Sequence, residues 1–595
     1  MDRSGQQGGS GHVEDRGEAS GAGHVVDVVV VGAGGAGMTA ALAANAKGLD
    51  TLVVEKSAYF GGSTARSGGG VWIPNNYALR KAGVPDSLED AKTYLASIVG
   101  DVVPEARRDA FLLRGPEALE FVRDHSAADF MWVPEYSDYY PEAPGGRAIG
   151  RSVEPRPVNG RIIGEELRRL HPPYAKAPAG MVVTQANYRW LSLAMRTYKG
   201  PLTTLKVVLR RMLNLLLRRP MYAMGSAMMI GLRKGLLDAG VPIWYESELT
   251  DLVVEDGRVV GVRLVRDGQS VTVRARQAVV LASGGFEKNR EMREKYQRSP
   301  ITTDWTTGAP TNTGGGIKAG LAAGAEVALM DDAWWGPTIP LTGGPYFCLS
   351  ERNLPGAIIV NQAGRRYTNE ASPYVDAVHA MYDGEAATGV QHIPSWMILD
   401  QRYRNRYLFA GLGPRQPFPG RWYKHGTLFK ADTVEGLAAQ IGVDAAGLAE
   451  EVGRFNEMAR TGVDTDFHRG ASAYDKYYGD PTNKPNPCLG PIDQGPFYAV
   501  KIVPGDLGTK GGIVTDENAR ALRPDGSVIE GLYAAGNASA AVMGNTYAGA
   551  GSTIGPAIVF GYLAALDIAG RAFSSAGTTT TSSSQRTSHT AEKAS

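Results

Sequence analysis

Residues Asp27–Lys56 read DVVVVGAGGAGMTAALAANAKGLDTLVVEK, and this stretch decides the fold. Val28–Val31 is a short β-branched run of the kind that forms a buried strand. Gly32, Gly34 and Gly37 follow in G-x-G-x-x-G spacing, with Gly35 inside the same turn. Met38–Ala46 is a helical run closed by Gly48, and Thr51–Val54 is a second apolar strand. The order is that of a βαβ unit, so an α/β protein with a Rossmann-like sheet is expected. The first glycine allows a tight turn, the second lets backbone approach a pyrophosphate, and the third lets helix and strand pack. The helix N-terminus then faces the anion. Glu55 closes the second strand, placed to accept the hydroxyls of an adenosine ribose, with Lys56 beside it.

Just beyond lies GGSTARSGGG, residues 61–70. Gly62, Ser63, Thr64, Ser67, Gly68, Gly69 and Gly70 offer many backbone N–H groups and little side-chain bulk. A nicotinamide dinucleotide rarely needs such a second loop, whereas FAD in an extended pose does. On these two loops the chain resembles the flavoprotein family of fumarate reductase, succinate dehydrogenase and 3-ketosteroid dehydrogenase. Members that hold flavin covalently carry a histidine in the second loop. This loop has none, so the resemblance implies noncovalent FAD.

The 595 residues suffice for two or three domains and a large core. A net charge of +1 gives no global case for nucleic-acid binding. Cys348 and Cys488 fit neither a zinc site nor a disulfide framework, and no histidine pair has metal-ligand spacing, so no metal is expected. Residues 1–23 read as a disordered polar leader and 574–595 as a disordered Ser/Thr-rich tail. No apolar run reaches the ~20 residues needed to span a bilayer, and a cytoplasmic protein is expected.

Further along, residues 86–125 read as helices, and 249–268 as two strands joined at Asp256-Gly257. Ala278–Gly285 reads as a buried strand ending in glycines, including Gly284. Asn312–Gly316 is a third candidate flavin loop. From about Ala333 the sequence turns Trp- and Pro-rich, so a catalytic α+β domain is placed at 333–506, inserted in an FAD domain of 24–332 and 507–573. In this family the strand that ends at Gly536-Asn537 makes a second FAD contact. Ser552 and Ile554 lead into a helix whose N-terminus would face the flavin ring and stabilise its anionic reduced form.

Residues 167–237 hold no Asp or Glu but many Arg and Lys. Leu205, Leu209, Met212 and Leu216 share one helical face, and Lys199, Lys206, Arg210, Arg211 and Arg218 fall mostly on the other. A basic amphipathic segment at about 187–235 suits an anionic membrane surface, or else a helix packed on its own protein.

The catalytic segment separates family members. A fumarate-type enzyme has a histidine before Pro-Thr; here the run is Ala333-Trp334-Trp335-Gly336-Pro337-Thr338. Such an enzyme also has an arginine proton donor five residues after the Asn of R-[FY]-x-N-E. Here Arg366-Tyr367-Thr368-Asn369-Glu370 is intact and that position is Tyr374. A dicarboxylate would lack cations in such a site, while a flat apolar ketone would fit. The segments GGSTARSGGGVWIPNN (61–76), IVGDVVP (98–104), AWWGPT (333–338), PGDLGTKGG (504–512) and NTYAGAGSTIGPA (545–557) resemble the 3-ketosteroid Δ1-dehydrogenase family from about 25 to 573.

That resemblance implies removal of hydrogens from C1 and C2 of the steroid A ring, with hydride passing to FAD. It implies that Tyr547 and the Gly551 N–H bind the C3 ketone, that Tyr374 takes the C2 proton, and that Tyr139 assists it. Relatives often have proline at Ala548 and Ala550, so a looser loop is expected here. A phenol with a reference pKa of about 10 implies an alkaline optimum. The implied partners are a 3-ketosteroid and a quinone-like acceptor, with no nucleic acid. Competing readings are a 5α-steroid Δ4-dehydrogenase, a fumarate-type ene-reductase, and a non-catalytic flavin- or sterol-binding protein.

Overall fold

β1 (His24–Val31), α1 (Gly35–Ala46) and β2 (Thr51–Val54) form the expected unit in a computed structural model that describes residues 24–174 and 180–570. The expected leader and tail lie outside the described residues. β1 begins earlier than its apolar run because His24–Val273 and the two following pairs extend the ladder beyond a register shift after Val26. Val28–Val31 and Thr51–Val54 are buried throughout, as strands covered on both faces must be. Gly37 sits where a Cβ would lie 1.9 Å from the Gly32 carbonyl oxygen, so helix and strand touch through bare backbone.

The chain then places α2 (Gly62–Arg66), α3 (Gln185–Ser192), α4 (Lys199–Leu216) and α5 (Met224–Asp238) before returning to the sheet. β3 (Ile243–Trp244) pairs with β2, and β4 (Ser247–Glu255) and β5 (Arg258–Arg266) form the expected hairpin. β6 (Gln269–Leu281) carries the hairpin and runs parallel to β1. α6 (Gly315–Ala322) follows.

A second, antiparallel sheet is built from β7 (Ala333–Ile339), β8 (Tyr346–Phe347), β9 (Ala357–Val360), β10 (Ser395–Asp400), β11 (Leu428–Ala431) and β12 (Phe497–Thr509). Its order is β8-β7-β12-β10-β9, with β11 also on β12. α7 (Tyr374–Thr388) packs on β7, and α8 (Ala473–Tyr478) precedes β12. The chain returns through β13 (Arg520–Leu522) and β14 (Val528–Ala534), which lies parallel to β6, so the first sheet reads β13-β14-β6-β1-β2-β3. α9 (Ile554–Ile568) then packs on α1. The nucleotide-binding sheet is therefore discontinuous in sequence.

α4 answers the question left open above. Its apolar face is not packed on the protein: Leu205, Leu209, Met212 and Leu216 are 54%, 54%, 61% and 80% exposed. The basic segment does not extend to 235, because α5 is a core helix with Met228, Met229, Ile230 and Leu232 fully buried. No helix among the described residues is long and apolar enough to cross a membrane.

A Gly37→Ala variant is expected to shift α1 off β1, at about 1–3 kcal/mol for overpacking. A thermal melt should fall by several degrees and bound flavin absorbance should drop; a variant matching wild type in both would refute the close-approach reading.

Candidate active site

One continuous cleft of about 1040 Å³ runs from Glu55 and Lys56 past α2 and α9 to Tyr374 and Tyr346. That is the upper end of the ~300–1,000 Å³ of ordinary ligand pockets. It has room for a dinucleotide and a flat second molecule.

Helix N-termini open onto the cleft without a side-chain cap from their own N-cap residue: Gly34 before α1, Gly61 before α2, Gly314 before α6 and Thr553 before α9. Each leaves backbone N–H groups unspent, an arrangement that receives anions. Nothing lies within 4 Å of a Cβ built at Gly34 or Gly315, so the cleft side of both turns is open. The Ser283 hydroxyl is buried and unpartnered at the cleft wall. Unspent donors, open glycine turns and a waiting hydroxyl suit the diphosphate of an extended flavin dinucleotide.

The expected cofactor residues divide into cleft walls and supports. Gly32, Gly34, Gly35, Lys56, Gly62, Ser63, Thr64, Ser67, Gly68, Gly69, Gly70, Gly284, Asn312, Gly536, Asn537 and Ile554 line the cleft. Lys56 Nζ reaches Thr313 Oγ1 at 3.0 Å and Glu248 at 2.7 Å. Asn312 is held by Ser63 Oγ at 3.1 Å and Glu287 at 2.7 Å, and Asn537 Oδ1 accepts from the Trp334 indole at 3.1 Å. Gly37 packs helix on strand and does not line the cleft. Ser552 does not line this cleft either: its hydroxyl accepts from the Gly549 N–H at 2.9 Å and donates to the Gly549 carbonyl at 2.8 Å, closing a turn. Glu55 lines the cleft, but its two oxygens already accept the Ala33 and Ser57 N–H groups, each at 2.8 Å. It shapes the glycine turn and keeps only its remaining lone pairs for a ribose.

At the other end the expected catalytic groups converge. Tyr139 Oη donates to Tyr374 Oη at 3.2 Å. The Tyr374 and Tyr547 rings lie 5.1 Å apart, and Tyr139 stacks on Tyr547 at 5.2 Å. Burial raises the Tyr547 phenol, against hydrogen bonds from Thr553, Tyr374 and the Gly551 N–H that lower it. Tyr547, Tyr374 and Gly551 all line this end of the cleft. Thr553 spends its hydroxyl on Tyr547 at 3.0 Å, leaving the N-terminus of α9 bare. Gly551 has φ +102°, and a Cβ there would lie 2.2 Å from the Gly70 carbonyl carbon. The loop expected to be loose is braced: the Ala548 carbonyl accepts from Tyr94 Oη at 2.7 Å and from the Tyr139 N–H at 3.0 Å.

Sequence reading singles out the tyrosine-rich turn Tyr136-Ser137-Asp138-Tyr139-Tyr140-Pro141 but misses the partners it meets. Tyr478 Oη donates to Tyr136 Oη at 3.1 Å, and Tyr136 Oη lies 3.3 Å from Tyr139 Oη. Tyr477 stacks on Tyr136 at 4.2 Å and Tyr474 sits 4.6 Å from Tyr139. The available signal was a second tyrosine-rich run, AYDKYY in α8.

With this geometry in view, a family model described as an FAD binding domain matches residues 27–554. The chain belongs to this family of FAD-binding proteins. FAD is its cofactor. The 3-oxosteroid 1-dehydrogenase of Mycolicibacterium smegmatis is 56% identical, covering 93% of this chain and 99% of the relative. That of Mycobacterium tuberculosis is also 56% identical, covering 92% and 98%. Among solved structures, the 3-ketosteroid Δ1-dehydrogenase of Sterolibacterium denitrificans, in complex with 1,4-androstadiene-3,17-dione, superposes with a TM-score of 0.88 at 40% identity, covering 92% of this chain and 100% of that one.

Burial pushes the Tyr374 and Tyr139 phenols well above their ordinary value of 10, although the Tyr139 hydrogen bond pulls Tyr374 back down. A base of this kind gains its active form as pH rises. Below pH ~10 folded and unfolded chains are both protonated here and stability is unaffected. Above it the unfolded chain releases protons that the folded chain keeps, so stability falls. We predict a pH–rate profile that climbs through the alkaline range and is cut off by unfolding. Melts at each pH separate the two effects, and an acid optimum would remove Tyr374 as the base.

Proposed function

We propose that this protein introduces a C1–C2 double bond into the A ring of 3-ketosteroids. The observation that carries the reading is that Tyr547, Gly551 and the hydrogen-bonded Tyr139–Tyr374 pair line one cleft together with the flavin loops. The Tyr547 hydroxyl and the Gly551 N–H donate to the C3 ketone oxygen. They stabilise the charge that grows there as C2 loses its proton, by about 3 kcal/mol each as oxyanion donors. The Tyr374 oxygen takes that proton, and the Tyr139 hydrogen bond steadies the Tyr374 phenolate that takes it. FAD, when bound, supplies the acceptor for the hydride leaving C1. Trp334 and Trp335 at the positions of the family's histidine segment, with Tyr374 in place of an arginine, argue against a dicarboxylate substrate.

The exposed face of α4 supports a site of action at the inner face of the cell membrane. Apolar side chains stand exposed there beside Lys206 and Arg210, a composition that binds anionic bilayers. Thr204, Arg211 and Asn214 of the same helix line the cleft. A sparingly soluble substrate would enter from lipid, and the electrons would leave to a quinone-like acceptor in the same bilayer.

Anaerobic androst-4-ene-3,17-dione is expected to bleach the flavin band and yield the 1,4-diene. Bleaching only by a saturated 5α-3-ketone, giving a 4-ene, would move the reading to the Δ4 reaction; no bleaching would favour a binding protein. Tyr374→Phe should lose about 10²–10⁴-fold in flavin reduction rate, as for removal of a general base, with steroid affinity kept. Separately, the protein should float with phosphatidylserine vesicles, and Leu209→Glu with Met212→Glu should abolish flotation; flotation unchanged in that variant would refute docking through α4.

A further inference from the structure

Among the polar groups of the cleft that the reaction does not use, Glu351 has an unpaired oxygen. Glu351 is 2% exposed and lines the cleft. Its Oε1 accepts twice, from Tyr346 Oη at 2.6 Å and from the Ala410 N–H at 3.1 Å. Its Oε2 is buried with no partner. A buried oxygen left bare in this way costs roughly 1–3 kcal/mol unless something binds it. Its backbone is fixed too, because the Glu351 carbonyl accepts from Tyr403 Oη at 2.7 Å.

The place of this carboxyl along the cleft gives it meaning. The ketone end is fixed by Tyr547 and Gly551. Phe347 lies against Tyr374 with ring centroids 5.1 Å apart, and its chain neighbour Tyr346, which also lines the cleft, donates to Glu351. The hydroxyls of Tyr374, Tyr139, Tyr136 and Tyr478 follow one another, and the Tyr188 ring lies 6.5 Å from that of Tyr478. Tyr188 also meets Ser350, the residue before Glu351, at 3.0 Å. A fused-ring ketone bound at Tyr547 would extend past Tyr139 and Tyr136 with its far end toward Glu351.

We propose that Glu351 Oε2 is the recognition point for a hydrogen-bond-accepting oxygen at the D-ring end of the steroid, a ketone or hydroxyl at C17. The proposal rests on the 3-ketosteroid reading above. With both donors on Oε1, Oε2 is the oxygen left for a ligand, and a protonated Oε2 would donate to an acceptor there. Burial raises this carboxyl above its ordinary range, in keeping with a neutral donor. Glu351 is thus a specificity residue and takes no part in the proton or hydride steps.

The test compares androst-4-ene-3,17-dione with androst-4-en-3-one, which lacks the C17 oxygen, on the FAD-loaded protein. Wild type should favour the dione by about ten-fold or more in kcat/KM and in Kd read from the flavin band, the scale of one buried hydrogen bond. Glu351→Leu should bring that ratio close to one by slowing the dione alone. Glu351→Gln should keep most of the ratio, because its amide N–H still donates. A wild-type ratio near one overturns the proposal whether or not any variant folds. Equal losses on both steroids in Glu351→Leu also overturn it and leave Glu351 as a brace for Tyr346 and Ala410. If wild type desaturates neither steroid the reaction reading fails, and the ratio of the two Kd values still decides the role of Glu351.

Discussion

The Ala548 carbonyl is the point on which the site depends. It accepts from Tyr94 Oη and from the Tyr139 N–H. One residue earlier stands Tyr547, and three later Gly551 lies against the backbone of Gly70. Between them, a Cβ on Gly549 would lie 2.4 Å from the Trp72 ring. The Trp72 indole donates to Asp138 Oδ1 at 2.9 Å, and Arg151 pairs with the other oxygen of Asp138 at 2.5 Å. The flavin loop at 61–72, the tyrosine turn at 136–140 and the C-terminal loop at 547–553 are therefore one body. Tyr139 cannot move relative to Tyr547 without breaking backbone hydrogen bonds that are buried and have no water to replace them.

The fourth member, Tyr374, is brought in by the second sheet, and buried charge does that work. Arg366 and Glu370 of the R-[FY]-x-N-E motif pair at 2.8 Å, Arg366 also holds Asp464 at 2.7 Å, and Arg469 reaches Glu370 at 3.1 Å. All four side chains are fully buried. Removing one partner from such a network leaves an unpaired buried charge, at about 3–5 kcal/mol. Asn369 of the same motif donates to Asp475 of α8 at 3.0 Å. The motif therefore fixes two things together: the first turn of α7, which begins at Tyr374, and the helix that carries Tyr474, Tyr477 and Tyr478.

What was legible in the sequence follows from this. The βαβ unit and the hairpin at Asp256-Gly257 lie in local patterns whose spacing carries their meaning, whereas Tyr374 and Tyr547 were reached only through the family resemblance. For Glu55, spacing shows where a carboxylate stands but not that it also accepts the Ala33 and Ser57 N–H groups. Ser552 looked like a cleft residue because its neighbours are, yet a serine two positions after a tight turn bonds its own backbone first. Tyr136 and Tyr478 lie 342 residues apart and meet only through tertiary packing, which no local pattern encodes. The exposed face of α4 was legible as amphipathic, but whether protein covered it was a question for packing alone.

The cleft also has to reconcile two demands on its phenols. Stabilising charge on a ketone oxygen requires a dry, low-dielectric site, where each donor is worth more. The same dryness raises the phenol that must act as base, and burial is the largest cause acting on Tyr374 and Tyr139 alike. No single neighbour offsets it. The hydroxyls are instead arranged in series, with Tyr478 donating to Tyr136, Tyr136 beside Tyr139, and Tyr139 donating to Tyr374. A negative charge on Tyr374 is then met by a polarised chain rather than by one hydrogen bond, and chains of this kind strengthen cooperatively. In the proposed reaction, Tyr136 and Tyr478 thus belong to the series of hydroxyls behind Tyr374 rather than to the groups that meet the substrate.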